Sequence, residues 1–424
     1  MFDQLNENSD LCSPERPTVV LLTGMDLTEQ NWERTGIEFL MEDFEIIILD
    51  CRLFLGRVIN TEATDDPRFQ NTIRIVSAQQ LSEVLDTCRP MYAIDFIGPC
   101  KEMKDIQTTL KKIECKFVIQ KFGSLPRFPL YQRIVFCLRN LRSEDSNSLV
   151  VSEAHSSQNL GGTGRHSIYF SLLHKLLKNW TDYRDARYFI KADVSVAAGR
   201  RAVNECRKIS KSVISVMSAD AHKFQTTTSR DTQTDNFGLS EPFVLFIDDA
   251  LIHASDWTSL GIPPPVREDE YFRNLTKYFA EFESFYKIPI VIAGHPQCKL
   301  NTAYIASFSE RRVIFGHTPE LVLKSCLTIV HSSTATSFAV LAKKPIMVIT
   351  SESLDKTSYG LQIRALAVEL GTSLQFFDQS LERNNLIDFS KLRYKNYLQE
   401  FIVEDGCHEI HPWERFKAYN KSQT

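Results

Sequence analysis

The stretch LTIVHSSTATSFAVLAKKPIMVIT, Leu327–Thr350, holds a strand, a helix and a second strand in 24 residues. Leu327–His331 and Lys344–Thr350 are short apolar runs rich in β-branched residues, which fits strands buried on both faces. Ser333–Ala342 between them has helical spacing. A strand that returns through a helix pairs in parallel with its predecessor, and parallel sheets are covered on both faces. The unit predicts an α/β chain.

Working outward, the same alternation fills the C-terminal half. FVLFIDD (Phe243–Asp249), IPIVIAG (Ile288–Gly294), RRVIFG (Arg311–Gly316) and SLQFFD (Ser373–Asp378) read as strands. Glu268–Lys287 reads as a helix whose Phe272, Leu275, Phe279, Phe282 and Phe285 make one apolar stripe. Pro319–Lys324 and Gln362–Leu370 complete the helices. The N-terminal half repeats the pattern with TVVLLTG (Thr18–Gly24), FEIIILD (Phe44–Asp50), MYAIDFIG (Met91–Gly98), KFVIQKFG (Lys116–Gly123), LVVSEA (Leu149–Ala154), RYFIKA (Arg187–Ala192) and SVISV (Ser212–Val216). Ala78–Cys88 and Lys104–Ile113 are its amphipathic helices. Between the halves, Ala219–Pro242 is rich in Thr, Ser, Asp and Gln and reads as a loop or interdomain linker. The expected organisation is therefore a first doubly wound domain over residues 1–238, with its linker at 219–242. A second follows over 239–400, and a terminal helix over 401–424.

Composition narrows the class. The chain has 424 residues, 43% hydrophobic and 24% charged, with a net charge of −4. That is globular, long enough for two or three domains, and without the basic field that recruits nucleic acid. The first 17 residues are polar and acidic, unlike a signal peptide, and no apolar run approaches the ~18 residues of a membrane span. Ten scattered cysteines form no CxxC pair, so reduced thiols in a cytoplasm are expected.

Ligands of open α/β sheets bind outside the carboxyl ends of the strands, so chemistry is sought there. His331, Ser332, Ser333 and Thr334 follow one strand and open the next helix, where unpaired N–H groups and hydroxyls suit a phosphate or a simple helix cap. Gly294, His295 and Pro296 end another strand. The glycine admits close approach, and the histidine can donate to a phosphate or protonate a leaving group. His317, Thr318 and Glu320 follow a third strand, Thr318 as cap before Pro319. They could meet a base or ribose. Asp248 and Asp249 form an adjacent carboxylate pair, followed by His253. One of a crowded pair has a raised pKa and can serve as a base. In the N-terminal half, Gly24 and Asp26, and the loop holding Gly161, Gly162 and Thr163, are weaker loop candidates.

The order FVLFIDD, IHASD, IVIAGHP, HTPELVLKS and HSSTATSFAVLAKKPIMVIT over Phe243–Thr350 resembles a family of bacterial surface-carbohydrate biosynthesis proteins, glycosyltransferase-like chains. KADVSVAAG (Lys191–Gly199) extends the likeness loosely. The His-Pro and Ser-Ser-Thr elements also resemble those of bacterial sialyltransferases and polysialyltransferases. The resemblance implies a GT-B-like fold of two Rossmann-like domains around a cleft, with the terminal helix, 401–424, packed back on the N-terminal domain. It also implies that His295, Ser332 and Ser333 hold the phosphate of a CMP-activated sugar. Those enzymes carry an acidic pair near a glycine; here Asp248 and Asp249 precede Ala250. Asp26, Asp95 and Glu153 are the N-terminal alternatives for a base.

The expectation is a glycosyltransferase acting on a bacterial surface polysaccharide, such as capsule or lipopolysaccharide. It would use Asp249 as base and no metal or other cofactor. The donor would be a CMP-linked acidic sugar, with a UDP- or GDP-hexose as the rival. The acceptor would be a glycan or lipid-linked glycan, which could bring the chain to the inner face of the cytoplasmic membrane. A nucleotide-sugar epimerase of the same fold and a non-catalytic scaffold are the competing readings.

Overall fold

The computed structural model describes residues 16–24, 32–33, 35–57, 69, 71–129, 131–133, 135–136, 188–229, 237–239, 242–254, 257, 263–381, 393–407 and 410–422. The first unit contains β1 (Thr18–Thr23), α1 (Glu38–Met41), β2 (Glu45–Asp50), β3 (Thr72–Arg74), α2 (Ala78–Cys88), β4 (Tyr92–Phe96), α3 (Met103–Lys112), β5 (Lys116–Lys121), β6 (Ala192–Ala198), α4 (Gly199–Ile209), β7 (Ser210–Val216) and α5 (Ala219–Ser229). The second contains β8 (Val244–Ile247), α6 (Glu268–Tyr286), β9 (Ile290–Gly294), α7 (Thr302–Ala306), β10 (Val313–Phe315), α8 (Thr318–Lys324), β11 (Leu327–Val330), α9 (Thr336–Leu341), β12 (Ile346–Thr350), α10 (Glu352–Asp355), α11 (Ser358–Leu370) and β13 (Leu374–Phe376). Then come α12 (Tyr394–Tyr397), a π-helical turn at Leu398–Ile402, and α13 (Pro412–Lys421).

Every pairing in both sheets is parallel. The strand orders are β3-β2-β1-β4-β5-β6-β7 and β10-β9-β8-β11-β12-β13. This is the expected α/β, GT-B-like architecture of two doubly wound sheets. The reason is visible in β1. Val19 and Leu21 enter one core and Val20 and Leu22 the other, because side chains alternate across the pleat. A strand buried on both sides must be apolar throughout, hence the unbroken runs. In each sheet the chain winds to one side and then jumps back to the other. The reversals fall between β1 and β4 and between β8 and β11, and each opens a crevice at the strand ends.

Several elements depart from expectation. Residues 219–229 of the expected linker are helical. Ser218 Oγ accepts from the Ala221 N–H and starts the helix, while Thr226, Thr228 and Ser229 hydroxyls donate to carbonyls three or four residues back. Polar side chains that satisfy themselves on the helix surface look like loop in one dimension. The strand expected at Arg187–Ala192 starts only at Ala192. Gln107 takes the place of a neighbouring strand for this stretch, accepting from the Phe189 and Ile190 N–H groups and donating to the Ile190 carbonyl. On α6 the buried stripe ends at Phe282, Phe285 is 44% exposed, and Tyr271 and Tyr278 are buried with it. LVVSEA, Leu149–Ala154, lies outside the described residues.

The tail divides between the two units. Tyr397 and Phe401 join the core of the second. Trp413 and Phe416 on α13 join the core of the first, packing edge-on against Phe122 and Tyr92 respectively. Among the described residues, no helix is long and apolar enough to cross a membrane, and the eight described cysteines are free thiols.

Candidate active site

The crevice between β8 and β11 brings two sequence motifs together. β8 runs into Asp248-Asp249 and β11 into His331-Ser332. The Ser332 N–H donates to Asp249 Oδ2 at 3.4 Å, and the Tyr359 hydroxyl, on the first turn of α11, donates to the same oxygen. Asp249 Oδ1 and Ser332 Oγ are buried without a partner. Each such atom costs about 1–3 kcal/mol if nothing answers it, so a ligand oxygen or an ordered water belongs there.

The neighbouring carboxylate is different. Asp248 Oδ2 accepts from the Ala250 N–H at 2.9 Å and the Tyr304 hydroxyl at 2.7 Å. Tyr304, on α7, also accepts from the His295 N–H at 3.2 Å, which ties the His-Pro turn after β9 to the acidic pair. Burial pushes both carboxyls above the usual carboxylate range, and at Asp248 the charge of Asp249 adds to that rise. The tyrosine hydroxyls pull in the opposite direction, since each stabilises a carboxylate. Ala250 sits in the left-handed region, at φ 52°. The acidic pair of the resembled transferases lies near a glycine, and the residue after the pair here has the backbone that glycine adopts most easily.

Other expected residues take different places. His331 is fully buried. Its Nδ1 donates to the Ile349 carbonyl and its Nε2 accepts from Tyr271, both at 2.8 Å. Both nitrogens are used inside the core, so His331 is not a phosphate ligand, and burial lowers its pKa to about 4. The helix expected to open at Ser333 starts at Thr336. Ser333 Oγ instead accepts from the Ala335 N–H, and Thr334 lies in the turn. Pro296 opens a 3-10 turn with His295 before it. His317 is the cap residue of α8, Thr318 its first residue, and Glu320 lies 3.9 Å from His317. That group stands after β10, two strands from β8. His253 lies 3.3 Å from Glu268 and edge-on to Tyr304.

Glycines expected to admit a ligand admit protein instead. A side chain at Gly24 would strike Arg57 and Leu55, and one at Gly294 would strike Phe315 and Val313. Asp95 is buried and holds a turn, accepting from the Ile97 and Gly98 N–H groups and the Tyr188 hydroxyl, so it is not an available base. Asp26, Glu153, Gly161, Gly162 and Thr163 lie outside the described residues. Tyr271, Tyr304 and Tyr359 were not singled out from sequence. Nothing local marks them, because each meets its partner across at least 56 residues. A cavity of about 510 Å³ lies between Phe128, Tyr131 and Phe136 of the N-terminal half and Leu361 and Arg364 of α11, and none of the acidic-pair residues lines it.

No protein-family model and no curated protein matches the chain. Solved structures do. UDP-GlcNAc 2-epimerase of Methanocaldococcus jannaschii, in complex with UDP-GlcNAc and UDP, is 13% identical, with 96% of this chain and 99% of that one covered at a TM-score of 0.47. The UDP complex of S. aureus MnaA is 12% identical, with 96% of each covered at 0.46. The wall teichoic acid polymerase TagF, as its H548A variant, is 11% identical, with 99% of this chain and 92% of that one covered at 0.49. At such identities and scores, these likenesses carry no residue role into this chain.

Proposed function

We propose that this protein is a glycosyltransferase that uses a nucleotide-activated sugar and builds a bacterial surface glycan. The observation that carries the reading is the pairing of Asp249 Oδ1 and Ser332 Oγ, buried and unanswered, at the reversal point of the second sheet. A carboxyl pushed up by burial toward neutrality is matched to taking a proton there. In this proposal Asp249 removes the proton of the acceptor hydroxyl, and Ser332 and His295 steady the departing phosphate. The cavity beside α11 receives the acceptor glycan. Ser332 and His295 carry the phosphate charge without a divalent metal, so a chelator leaves turnover intact.

The test begins with binding. CMP, CDP, UDP and GDP are titrated against the full chain in a thermal-unfolding assay. A nucleotide at a hundred times its dissociation constant adds about 2.7 kcal/mol of stability. The strongest shift with CMP supports an acidic-sugar donor, as the sialyltransferase resemblance implies; the strongest with another nucleotide replaces it. Ser332→Ala then slows transfer roughly a hundredfold, the ordinary consequence of losing one such donor. No stabilisation by any nucleotide sinks the proposal. Conversion of a bound nucleotide sugar with no acceptor present moves the reading to an epimerase.

A further inference from the structure

We propose that Tyr359 is the positioning residue of Asp249: its hydroxyl occupies Oδ2 and so leaves the unpartnered Oδ1 to take the substrate proton. The inference rests on the reading of Asp249 as the base. Three observations support it. Tyr359 donates to Asp249 Oδ2, and the Ser332 N–H donates to that same oxygen, while the Asp249 and Leu251 N–H groups also favour the carboxylate from its own turn. The other oxygen, Oδ1, is buried and unpartnered. At Asp248 the two donors, the Ala250 N–H and the Tyr304 hydroxyl, likewise share one oxygen, Oδ2. Two adjacent carboxylates are thus each held by a tyrosine on one oxygen, and of the two remaining oxygens Asp249 Oδ1 is the one that is buried without a partner.

The titratable groups around the pair are Tyr271, Tyr304, Tyr359, His331 and Cys298, with His253 edge-on to Tyr304. Tyr304 and Tyr359 donate directly to the carboxylates; burial and the neighbouring charges hold their own hydroxyls protonated. Because the two carboxylates repel each other, the protonation of one eases the ionisation of the other. This gives the two tyrosines opposite effects on Asp249. Loss of the Tyr359 hydroxyl removes a hydrogen bond that favours the Asp249 carboxylate, so its midpoint rises. Loss of the Tyr304 hydroxyl favours a proton on Asp248, so the Asp249 midpoint falls.

The experiment uses the full chain labelled with ¹³C at aspartate carboxyls, with Asp249→Asn to assign the resonance. Tyr359→Phe is expected to raise the Asp249 midpoint by about one pH unit and Tyr304→Phe to lower it. The acid limb of the pH profile of kcat/KM follows in both, while nucleotide KM stays within about twofold. An Asp249 midpoint unmoved in folded Tyr359→Phe, or moved in the same direction by both variants, overturns the proposal. Wild-type turnover in Asp249→Asn is a separate outcome. It removes the base reading, and with it the assignment of Tyr359 to catalysis, whatever the titration shows.

Discussion

At the scale of the residue, His331 shows how a strand-end histidine can be structural. It is packed among Phe246, Tyr271 and Phe377, with both nitrogens in hydrogen bonds. Its folded pKa is lowered to about 4 from 6.5, chiefly by burial. The folded state therefore binds fewer protons than the unfolded state between those values, and stability rises with pH across that window. The contribution is complete above 6.5 and is lost as pH falls toward 4. Comparing wild type with His331→Asn by urea unfolding reads this term together with its smaller coupling to Asp248. Their stability difference is expected to shrink by roughly 3 kcal/mol from pH 7 to pH 4; a constant difference would contradict a neutral buried imidazole. Asp249 and Ser332 were legible in the sequence as chemistry at strand ends. The tyrosines that arrange them were not, because Tyr304 lies 56 residues from Asp248 and Tyr359 lies 110 from Asp249.

At the scale of the element, legibility followed burial. Strands buried on both faces show it as unbroken aliphatic runs, and β1, β2, β9 and β12 are of this kind. β6, Ala-Asp-Val-Ser-Val-Ala-Ala, is as buried but its side chains are small, and it was placed too early. The end of this strand has a packing reason. Gly199 opens α4 at φ 76°, and a side chain there would come within 2.6 Å of the Glu400 carbonyl oxygen and 2.7 Å of the Phe401 carbonyl carbon. The π-helical turn thus lies directly on the start of α4, with Arg200 and Glu400 paired at its edge. Both the backbone angle and the contact exclude a larger residue. Gly199→Ala is expected to cost at least about 2 kcal/mol, from the left-handed backbone and the forced separation together. Chemical denaturation measures this. A loss below about 0.5 kcal/mol would mean that the turn shifts without strain.

At the scale of the whole molecule, the chain closes on itself. After building the second sheet, it sends Tyr397 and Phe401 into that unit's core and then returns α13 to the first sheet. Trp413 is fully buried there, its indole N–H donating to the Thr35 carbonyl at 2.6 Å, and Lys417 reaches Glu42 at 2.8 Å and Asp43 at 3.3 Å. The first sheet therefore completes one face of its core with residues almost 400 positions further along the chain. Composition shows only aromatics among mixed charges in this tail; a terminal helix packed back on the first domain is implied by the GT-B resemblance alone. This pairing makes the last helix a structural part of the first unit. Trp413→Ala removes a large buried side chain, a loss of about 3–5 kcal/mol. The cost is expected to fall unevenly. In hydrogen exchange, β1, β4 and β7 should lose protection together with α1 and α13, while β8, β11 and β12 keep theirs, since Trp413 contributes nothing to the second core. Equal loss in both sheets would show instead that the two units open as one cooperative body, with α13 as the strap that joins them.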